Sequence, residues 1–160
     1  MEKVFHTLEP VFDGNSKILI LGSMPSPVSR AIGFYYGHPQ NRFWRVLEAL
    51  FDEKIPSSAE AKRAFLLKKH IALWDVIESC DINGASDSSI KNVVPNDFSV
   101  IFSAADIKRV FTTGKTAYDL YRRFTLDTPV LLPSPSPANC AVKFDALVSA
   151  YSVIFDYIER

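Results

Sequence analysis

The sequence predicts an α/β protein, a three-layer α/β/α sandwich with a central four-stranded parallel sheet. Two observations predict this class. Four short apolar runs, each stopped by a turn signal, are typical of strands buried on both faces. Segments of helical character separate these runs, and strands that alternate with helices form parallel sheets with helices on both faces. The predicted strands are 17–22, 71–76, 109–113 and 129–132.

The helices between these strands follow from apolar stripes and from capping residues. The segment at about 42–52 places Phe43, Val46 and Leu50 on one face. Pro56-Ser57-Ser58 ends that helix and caps a second one at about 58–69. Further helices are predicted at about 95–104, 115–124 and 142–158. Residues 1–16 are expected to form an edge segment, and the polar stretches 23–41 and 78–96 to form long loops.

Composition limits the class of protein. The chain has 160 residues, 48% of them hydrophobic, with 18 basic and 18 acidic residues. This predicts one globular domain over 1–160 without a strongly basic nucleic-acid coat. No apolar run approaches the ~18 residues of a membrane helix, and no signal peptide is visible. We therefore expect a cytoplasmic protein that makes no membrane contact.

The sequence indicates no metal and no cofactor. Two cysteines, Cys80 and Cys140, cannot supply a four-thiolate cluster or zinc site. Gly114-Lys115-Thr116 resembles the end of a phosphate-binding P-loop, but the glycine required five residues earlier is replaced by Arg109. The polar stretch that begins at Asp81 has its glycine at the wrong place for a calcium loop.

Polar segments follow several of the predicted strands, as expected for a site at the carboxyl ends of a parallel sheet. Gly22, Thr113 and Leu132 are predicted to lie at such ends and to open on one cleft. Prolines that alternate with serines fix the backbone and leave hydroxyl and N–H groups free to bind phosphates. The aromatic rings near Asn41 suit a flat heterocycle, which a carboxamide can bind along its edge.

These motifs together resemble the uracil-DNA glycosylase superfamily. The segment HPQNRFW at 38–44 is similar to the HPxNxFW segment of the mismatch-specific uracil/thymine-DNA glycosylases. The combination of LGSMPS, YYGHPQNRFW and LPSPSPAN looks most like the hypoxanthine-DNA (deoxyinosine) glycosylase branch. The resemblance implies a monofunctional enzyme that hydrolyses the N-glycosidic bond of a damaged base flipped out of double-stranded DNA. We expect this enzyme to be a monomer.

The resemblance also implies roles for individual residues. Many members of the superfamily carry Asp or Asn two residues after the glycine of the first motif, where this chain has Met24. In the hypoxanthine branch the important amide resembles Asn41, which is therefore the expected catalytic residue. The expected base pocket is Gly22, Ser23, Met24, Tyr36, His38 and Asp75. The expected DNA-binding residues are Ser26, Ser134, Ser136, Pro137, Ala138 and Asn139.

Alternatives remain open at this point. Within the same class, the chain could be a uracil or thymine mismatch glycosylase. In another class, it could be a non-catalytic nucleic-acid or nucleotide-binding module, because Met24 cannot activate water. Asn41 could also serve only as the cap of the helix that follows it.

Overall fold

The computed structural model describes residues 1–160 as two sheets, six α-helices and two 3₁₀ turns. The strands are β1 (Glu2–Phe5), β2 (Ile18–Gly22), β3 (Ile71–Asp75), β4 (Ile77–Asn83), β5 (Ser86–Pro95), β6 (Arg109–Thr113) and β7 (Val130–Leu132). The helices are α1 (Pro27–Ile32), α2 (Phe43–Phe51), α3 (Ala59–Lys68), α4 (Ser99–Phe102), α5 (Lys115–Thr125) and α6 (Phe144–Tyr151). The 3₁₀ turns are Pro137–Asn139 and Ser152–Asp156.

The predicted four-stranded parallel sheet is confirmed, with strand order β3-β2-β6-β7 and flanking helices. All five residues of β2 are buried, as expected for a strand between two parallel neighbours. The register pairs Gly22 with Asp75 on one side of β2 and Leu21 with Thr112 on the other. Thr113 in turn pairs with Leu132. The carboxyl ends of these strands therefore lie side by side.

The helices form where their sequences favour them. In α2 the predicted stripe is buried against the core, and Ser58 caps α3 by accepting a hydrogen bond from the Ala61 N–H (3.1 Å). The closing helix is shorter than the predicted 142–158, because α6 ends at Tyr151 and continues as a 3₁₀ turn to Asp156.

One helix lies in the segment that was expected to be entirely loop. Ser26 Oγ accepts the Ser29 N–H (3.1 Å), Pro27 occupies the first turn, and Gly33 ends α1 with a left-handed φ of 88°. Serine, proline and glycine at these positions are helix start and stop signals. Six residues are too few to show an amphipathic period, which is why the helix was missed.

The prediction that 78–96 is a loop was wrong. This segment forms most of the β4–β5 hairpin, which pairs with β1 in a second, antiparallel sheet of order β1-β4-β5. Two physical reasons hide these strands in the sequence. Most of β5 is exposed and the hairpin register shifts three times, so no clean alternation of apolar and polar residues appears. The pairing of Val4 with Cys80 also joins residues far apart in the chain.

Candidate active site

A cleft of about 840 Å³ opens at the carboxyl ends of the parallel strands. Gly22, Thr113 and Leu132 all line it, which confirms the predicted common cleft. Loops of the parallel sheet form one side, here called the sheet wall: Gly22–Ser26, Tyr35, Tyr36, Asn41, Thr113–Thr116 and Leu131–Ser136, with Ala138 and Asn139. The tip of the β4–β5 hairpin forms the other side, here called the hairpin wall: Ile82 and Gly84–Ser88.

Three polar atoms converge around the backbone of Gly22. A Cβ at this position would lie 2.5 Å from Asp75 Oδ1, 3.1 Å from the Tyr36 hydroxyl and 3.6 Å from Thr113 Oγ1. Asp75 is only 3% exposed, and its Oδ2 accepts a hydrogen bond from His6 Nε2 (2.8 Å). Oδ1 accepts no hydrogen bond within the protein and belongs to a residue that lines the cleft. The absence of a side chain at Gly22 thus lets Asp75 Oδ1 approach the backbone closely and leaves this acceptor uncovered.

Tyr36 is held in one orientation by its ring and its hydroxyl. Its φ of 52° is left-handed, which is uncommon for a residue with a side chain and often marks a functional site. The ring stacks on Phe43 with centroids 4.0 Å apart and planes inclined by 14°, and the hydroxyl hydrogen-bonds to Thr113 Oγ1 (2.9 Å). Burial raises the pKa of the Tyr36 phenol well above its usual value, so the hydroxyl stays neutral.

Asn41 lines the cleft immediately before α2. Its Oδ1 accepts a hydrogen bond from the backbone N–H of Phe43 (2.9 Å), so the side chain does cap the helix. The amide Nδ2 makes no hydrogen bond within the protein. Capping therefore fixes the carboxamide and leaves its N–H groups as the donors available to a ligand.

The Ser/Pro loop at 133–139 is stabilised by Arg42. The guanidinium donates hydrogen bonds to the backbone carbonyls of Ser136 (3.3 Å), Asn139 (3.0 Å) and Val142 (2.5 Å). The Arg42 N–H also donates to the Pro135 carbonyl (3.1 Å). One arginine at the start of α2 thus links the segment that carries Asn41 to the Ser/Pro loop.

Serine hydroxyls shape the same loop. Ser134 Oγ accepts the Ser136 N–H (3.2 Å), and Ser136 Oγ accepts the Ala138 N–H (3.2 Å). Asn139 Nδ2 donates to the Ser134 carbonyl (3.0 Å). Neither serine O–H donates within the protein, so both hydroxyls keep a donor for a ligand. Ala138 is exposed at the tip of the loop.

The hairpin wall brings a second carboxyl group to the cleft. Ser23 Oγ donates a hydrogen bond to Asp87 Oδ2 (2.9 Å), which joins the hairpin tip to the loop after β2. Protein atoms around the carboxyl group, together with the charge of Asp75, raise the pKa of Asp87 above its usual value, and the Ser23 hydrogen bond opposes this shift. The acidic residues in the cleft lining are Asp75 and Asp87, and its basic residue is Lys115.

Two predicted site residues do not line the cleft. His38 was expected in the base pocket, but it lies outside the lining, and its Nδ1 accepts the backbone N–H of Gln40 (3.0 Å). In this geometry the ring shapes the turn before Asn41, and a role for His38 in base binding stays a prediction. Pro137 also lies outside the lining, within the 3₁₀ turn of the Ser/Pro loop.

Sequence reasoning missed several residues that the structure brings to the cleft or to its polar groups. His6, the residue after β1, hydrogen-bonds to Asp75. Thr113 hydrogen-bonds to the Tyr36 hydroxyl, and Asp87 accepts a hydrogen bond from Ser23. Thr113 carried a signal, since it ends a predicted strand at the expected cleft. Asp87 carried no signal, because it lay in a segment that was predicted to be a loop.

No helix is long and apolar enough to span a membrane. The structure contains no group of three or more potential metal ligands from His, Cys, Asp and Glu.

Comparison with known proteins adds to this geometry. The family model of the uracil DNA glycosylase superfamily matches residues 9–152. A hypoxanthine DNA glycosylase of Methanosarcina barkeri is 39% identical over 135 residues, which cover 81% of this chain and 85% of that protein. A second one, from Methanosarcina acetivorans, is 37% identical and covers 81% and 84%. A solution NMR structure from M. acetivorans, provisionally described as a uracil DNA glycosylase, superimposes with a TM-score of 0.75 at 31% identity and covers 93% and 97% of the two chains.

Proposed function

Because the chain belongs to the uracil DNA glycosylase superfamily and is a DNA glycosylase, we propose that its substrate is hypoxanthine (deoxyinosine) in double-stranded DNA. The observation that carries this proposal is a fixed acceptor in the cleft, Asp75 Oδ1, which lies against Gly22 and has no hydrogen-bond partner in the protein. The hypoxanthine DNA glycosylases of Methanosarcina, similar over four fifths of the chain, support it. The enzyme hydrolyses the N-glycosidic bond and, we propose, acts as a monomer.

The floor of the cleft suits a deaminated base. Deamination of adenine replaces a ring-nitrogen lone pair with an N–H, and a carboxylate oxygen can only accept hydrogen bonds. Asp75 Oδ1 can therefore bind the N1–H of hypoxanthine, and His6 keeps that oxygen in place through Oδ2 (2.8 Å). One face of the Tyr36 ring packs on Phe43, which leaves the other face for stacking on a flipped base.

Asn41 is proposed to act on the base as it leaves. Because Oδ1 is already bound to the Phe43 N–H, the amide can only donate to the ligand, through Nδ2. Negative charge develops on the base as its bond to C1′ breaks, and an N–H aimed at a base oxygen or nitrogen stabilises that charge. A fixed donor of this kind stabilises the transition state more than the ground state.

The Ser/Pro loop is proposed to bind the DNA backbone. Ser134 and Ser136 keep free hydroxyl donors, and the loop lies at the open edge of the cleft. Hydrogen bonds from hydroxyl groups to phosphates position a protein on DNA without reading sequence. Ser26 joins this surface from the start of α1, while Ala138 and Asn139 lie at the loop tip, nearest to an approaching groove.

Uracil is a second candidate base, because it offers the same ring N–H and because one matching structure supports it. Its N3–H presents the same donor to Asp75 Oδ1, and the matching NMR structure is described as a uracil DNA glycosylase. A thymine mismatch offers the same ring N–H with an added methyl group. The choice among these bases is therefore an experimental one.

A single assay distinguishes these functions. Purified protein in excess is incubated with duplexes that contain hypoxanthine, uracil, a thymine mismatch or xanthine, and abasic sites are then cleaved with alkali. We expect the fastest strand cleavage with hypoxanthine. Faster cleavage at uracil or at the thymine mismatch would support the second candidate instead. No cleavage of any duplex, with DNA binding retained, would indicate a non-catalytic module and contradict the proposal.

A further inference from the structure

Asp75 apart, the parallel-sheet side of the cleft supplies no group that can take a proton from the attacking water. Met24, in the loop after β2, has a thioether side chain that cannot serve as a base. Asn41 offers only N–H donors to the cleft, since the Phe43 N–H occupies its oxygen (2.9 Å). Tyr36 stays protonated because burial raises the pKa of its phenol. Hydrolysis nevertheless requires that the water lose a proton as its oxygen bonds to the sugar.

The hairpin places a carboxyl group beside this loop. Ser23, the neighbour of Met24, donates from Oγ to Asp87 Oδ2 (2.9 Å). The start of the hairpin is fixed to the same loop, because the Val76 and Ile77 N–H groups donate to the carbonyls of Gly22 (2.8 Å) and Ser23 (3.1 Å). Asp87 Oδ1 has no hydrogen-bond partner in the protein, and the residue lines the cleft.

We infer that Asp87 is the general base of the hydrolysis, supplied by the hairpin to a first loop that lacks one. The inference rests on the proposed function. The water oxygen bonds to C1′ of the deoxyribose, and its proton passes to Asp87 Oδ1. The bond from C1′ to N9 breaks, and its electron pair leaves with the base, which takes a proton from solvent. The products are free hypoxanthine and an abasic site, and Asp87 returns its proton to solvent.

Asp75, the other carboxyl group in the cleft, is less suited to this task. Its Oδ2 is bound to His6, and its Oδ1 lies at the floor beside Gly22 and the Tyr36 hydroxyl. A water there would occupy the space that the base requires. Asp87 is exposed at the mouth of the cleft, where water has access while a base fills the floor.

The electrostatic surroundings of Asp87 suit a general base. The neighbouring titratable groups are Asp75 on β3, Tyr36 before α2 and Cys80 on β4, with Lys115 also in the cleft lining. Crowding by protein atoms and the Asp75 charge raise the pKa of Asp87, which brings it closer to the working pH. A base accepts protons most effectively when its pKa lies near that pH.

The test compares two substitutions on the same hairpin. Asp87→Asn keeps an oxygen that can accept from Ser23 but removes the charge and the basicity. Asp81→Asn is the matched control, because Asp81 lies on β4 outside the cleft and binds only Asn92 Nδ2 (2.7 Å). Single-turnover excision of hypoxanthine is measured across pH. Binding to a duplex with an uncleavable 2′-fluoro deoxyinosine analogue is measured in parallel.

We expect Asp87→Asn to lower the excision rate by about 10²–10⁴-fold, the usual contribution of general acid–base catalysis. The rise of the rate with pH through the Asp87 pKa should disappear, DNA affinity should stay unchanged, and Asp81→Asn should behave as wild type. An unchanged rate in Asp87→Asn, an equal loss in Asp81→Asn, or a loss explained by weaker DNA binding would overturn the inference. Failure of the wild type itself to excise hypoxanthine would instead contradict the proposed function.

Discussion

The sheet wall and the hairpin wall of the cleft are held in different ways. The sheet wall rises from the parallel sheet, in which β2 and β3 are fully buried. Its side chains are fixed by contacts within this side: Tyr36 by Phe43 and Thr113, and Asn41 by the helix that it caps. The hairpin wall extends from a strand pair of irregular register whose second strand, β5, is mostly exposed, and a hydrogen bond from Ser23 joins its tip to the sheet wall. The difference suggests a rigid side that recognises the base and a less constrained side that admits water.

This comparison assigns separable effects to the two walls. Substitutions in the sheet wall should impair base binding and leaving-group stabilisation without moving the pH dependence. Substitutions at the hairpin contact should move the pH dependence with little effect on binding. Besides Asp87→Asn, three predictions test this separation, and among these three Asn41 of the sheet wall gives the largest expected effect.

Asn41→Ala should lower single-turnover excision by about 10²–10³-fold, the loss typical for removing one fixed donor that acts in the transition state. It should also lower the free energy of unfolding by about 1 kcal/mol, because Oδ1 caps α2. Chemical denaturation and excision kinetics on the same preparations measure both effects.

Asn41→Asp is the matched variant, because aspartate caps a helix as well as asparagine but has no N–H to donate. We expect wild-type stability with excision as poor as in Asn41→Ala. If Asn41→Asp excises hypoxanthine at the wild-type rate, the donor role fails. If the loss in Asn41→Ala follows only the folded fraction, Asn41 is a cap and nothing more.

Gly22→Ala should give the next largest effect. The new Cβ would lie 2.5 Å from Asp75 Oδ1, which is too close unless the carboxylate moves away from His6 or into the base pocket. Overpacking of this kind costs about 1–3 kcal/mol, so we expect excision to fall by about 10–100-fold and stability to fall as well. Affinity for the uncleavable duplex should weaken because the pocket for the base is smaller.

Gly14→Ala provides the control for Gly22→Ala. Its Cβ would meet only the Ala104 carbonyl oxygen at 3.6 Å, an ordinary contact, and Gly14 does not line the cleft. It should keep wild-type excision. If Gly22→Ala also binds and excises normally, the base does not bind beside Gly22, and the recognition role of Asp75 is wrong.

The two walls also differ in how far the sequence could predict them. β2 was recognisable because a run of buried apolar residues needs no distant partner to be read as a strand. Asn41 and the Ser/Pro loop were recognisable because their motifs are local. The position of Asp87 was not recognisable, since β5 is polar. The place of β5 is set by its pairing with β4, which in turn pairs with β1. His6 was missed for the same reason, and it lies outside the matched family range of 9–152.

Ser23→Ala should give the smallest effect and acts where the two walls meet. The Ser23 hydroxyl stabilises the ionised form of Asp87 and so lowers its pKa, against the nearby protein atoms and the Asp75 charge that raise it. Removal of this hydrogen bond should raise the pKa of Asp87 further. Because a general base acts when ionised, the excision rate should then begin to rise only at a higher pH. At pH values below the pKa of Asp87 we expect a loss of about two- to tenfold, the size of one hydrogen bond of 0.5–1.5 kcal/mol, and recovery of the rate at higher pH.

The double variant Ser23→Ala with Asp87→Asn decides whether this shift belongs to Asp87. Without the carboxylate there is no Asp87 ionisation to move, so the removal of Ser23 should leave the pH profile of Asp87→Asn unchanged. The control Ser152→Ala, which removes a hydroxyl that donates to the Ser149 carbonyl (2.6 Å) on the exposed end of α6, should alter neither profile. If Ser23→Ala shifts the profile equally with and without Asp87, another group controls the pH dependence, and the hairpin wall does not supply the base.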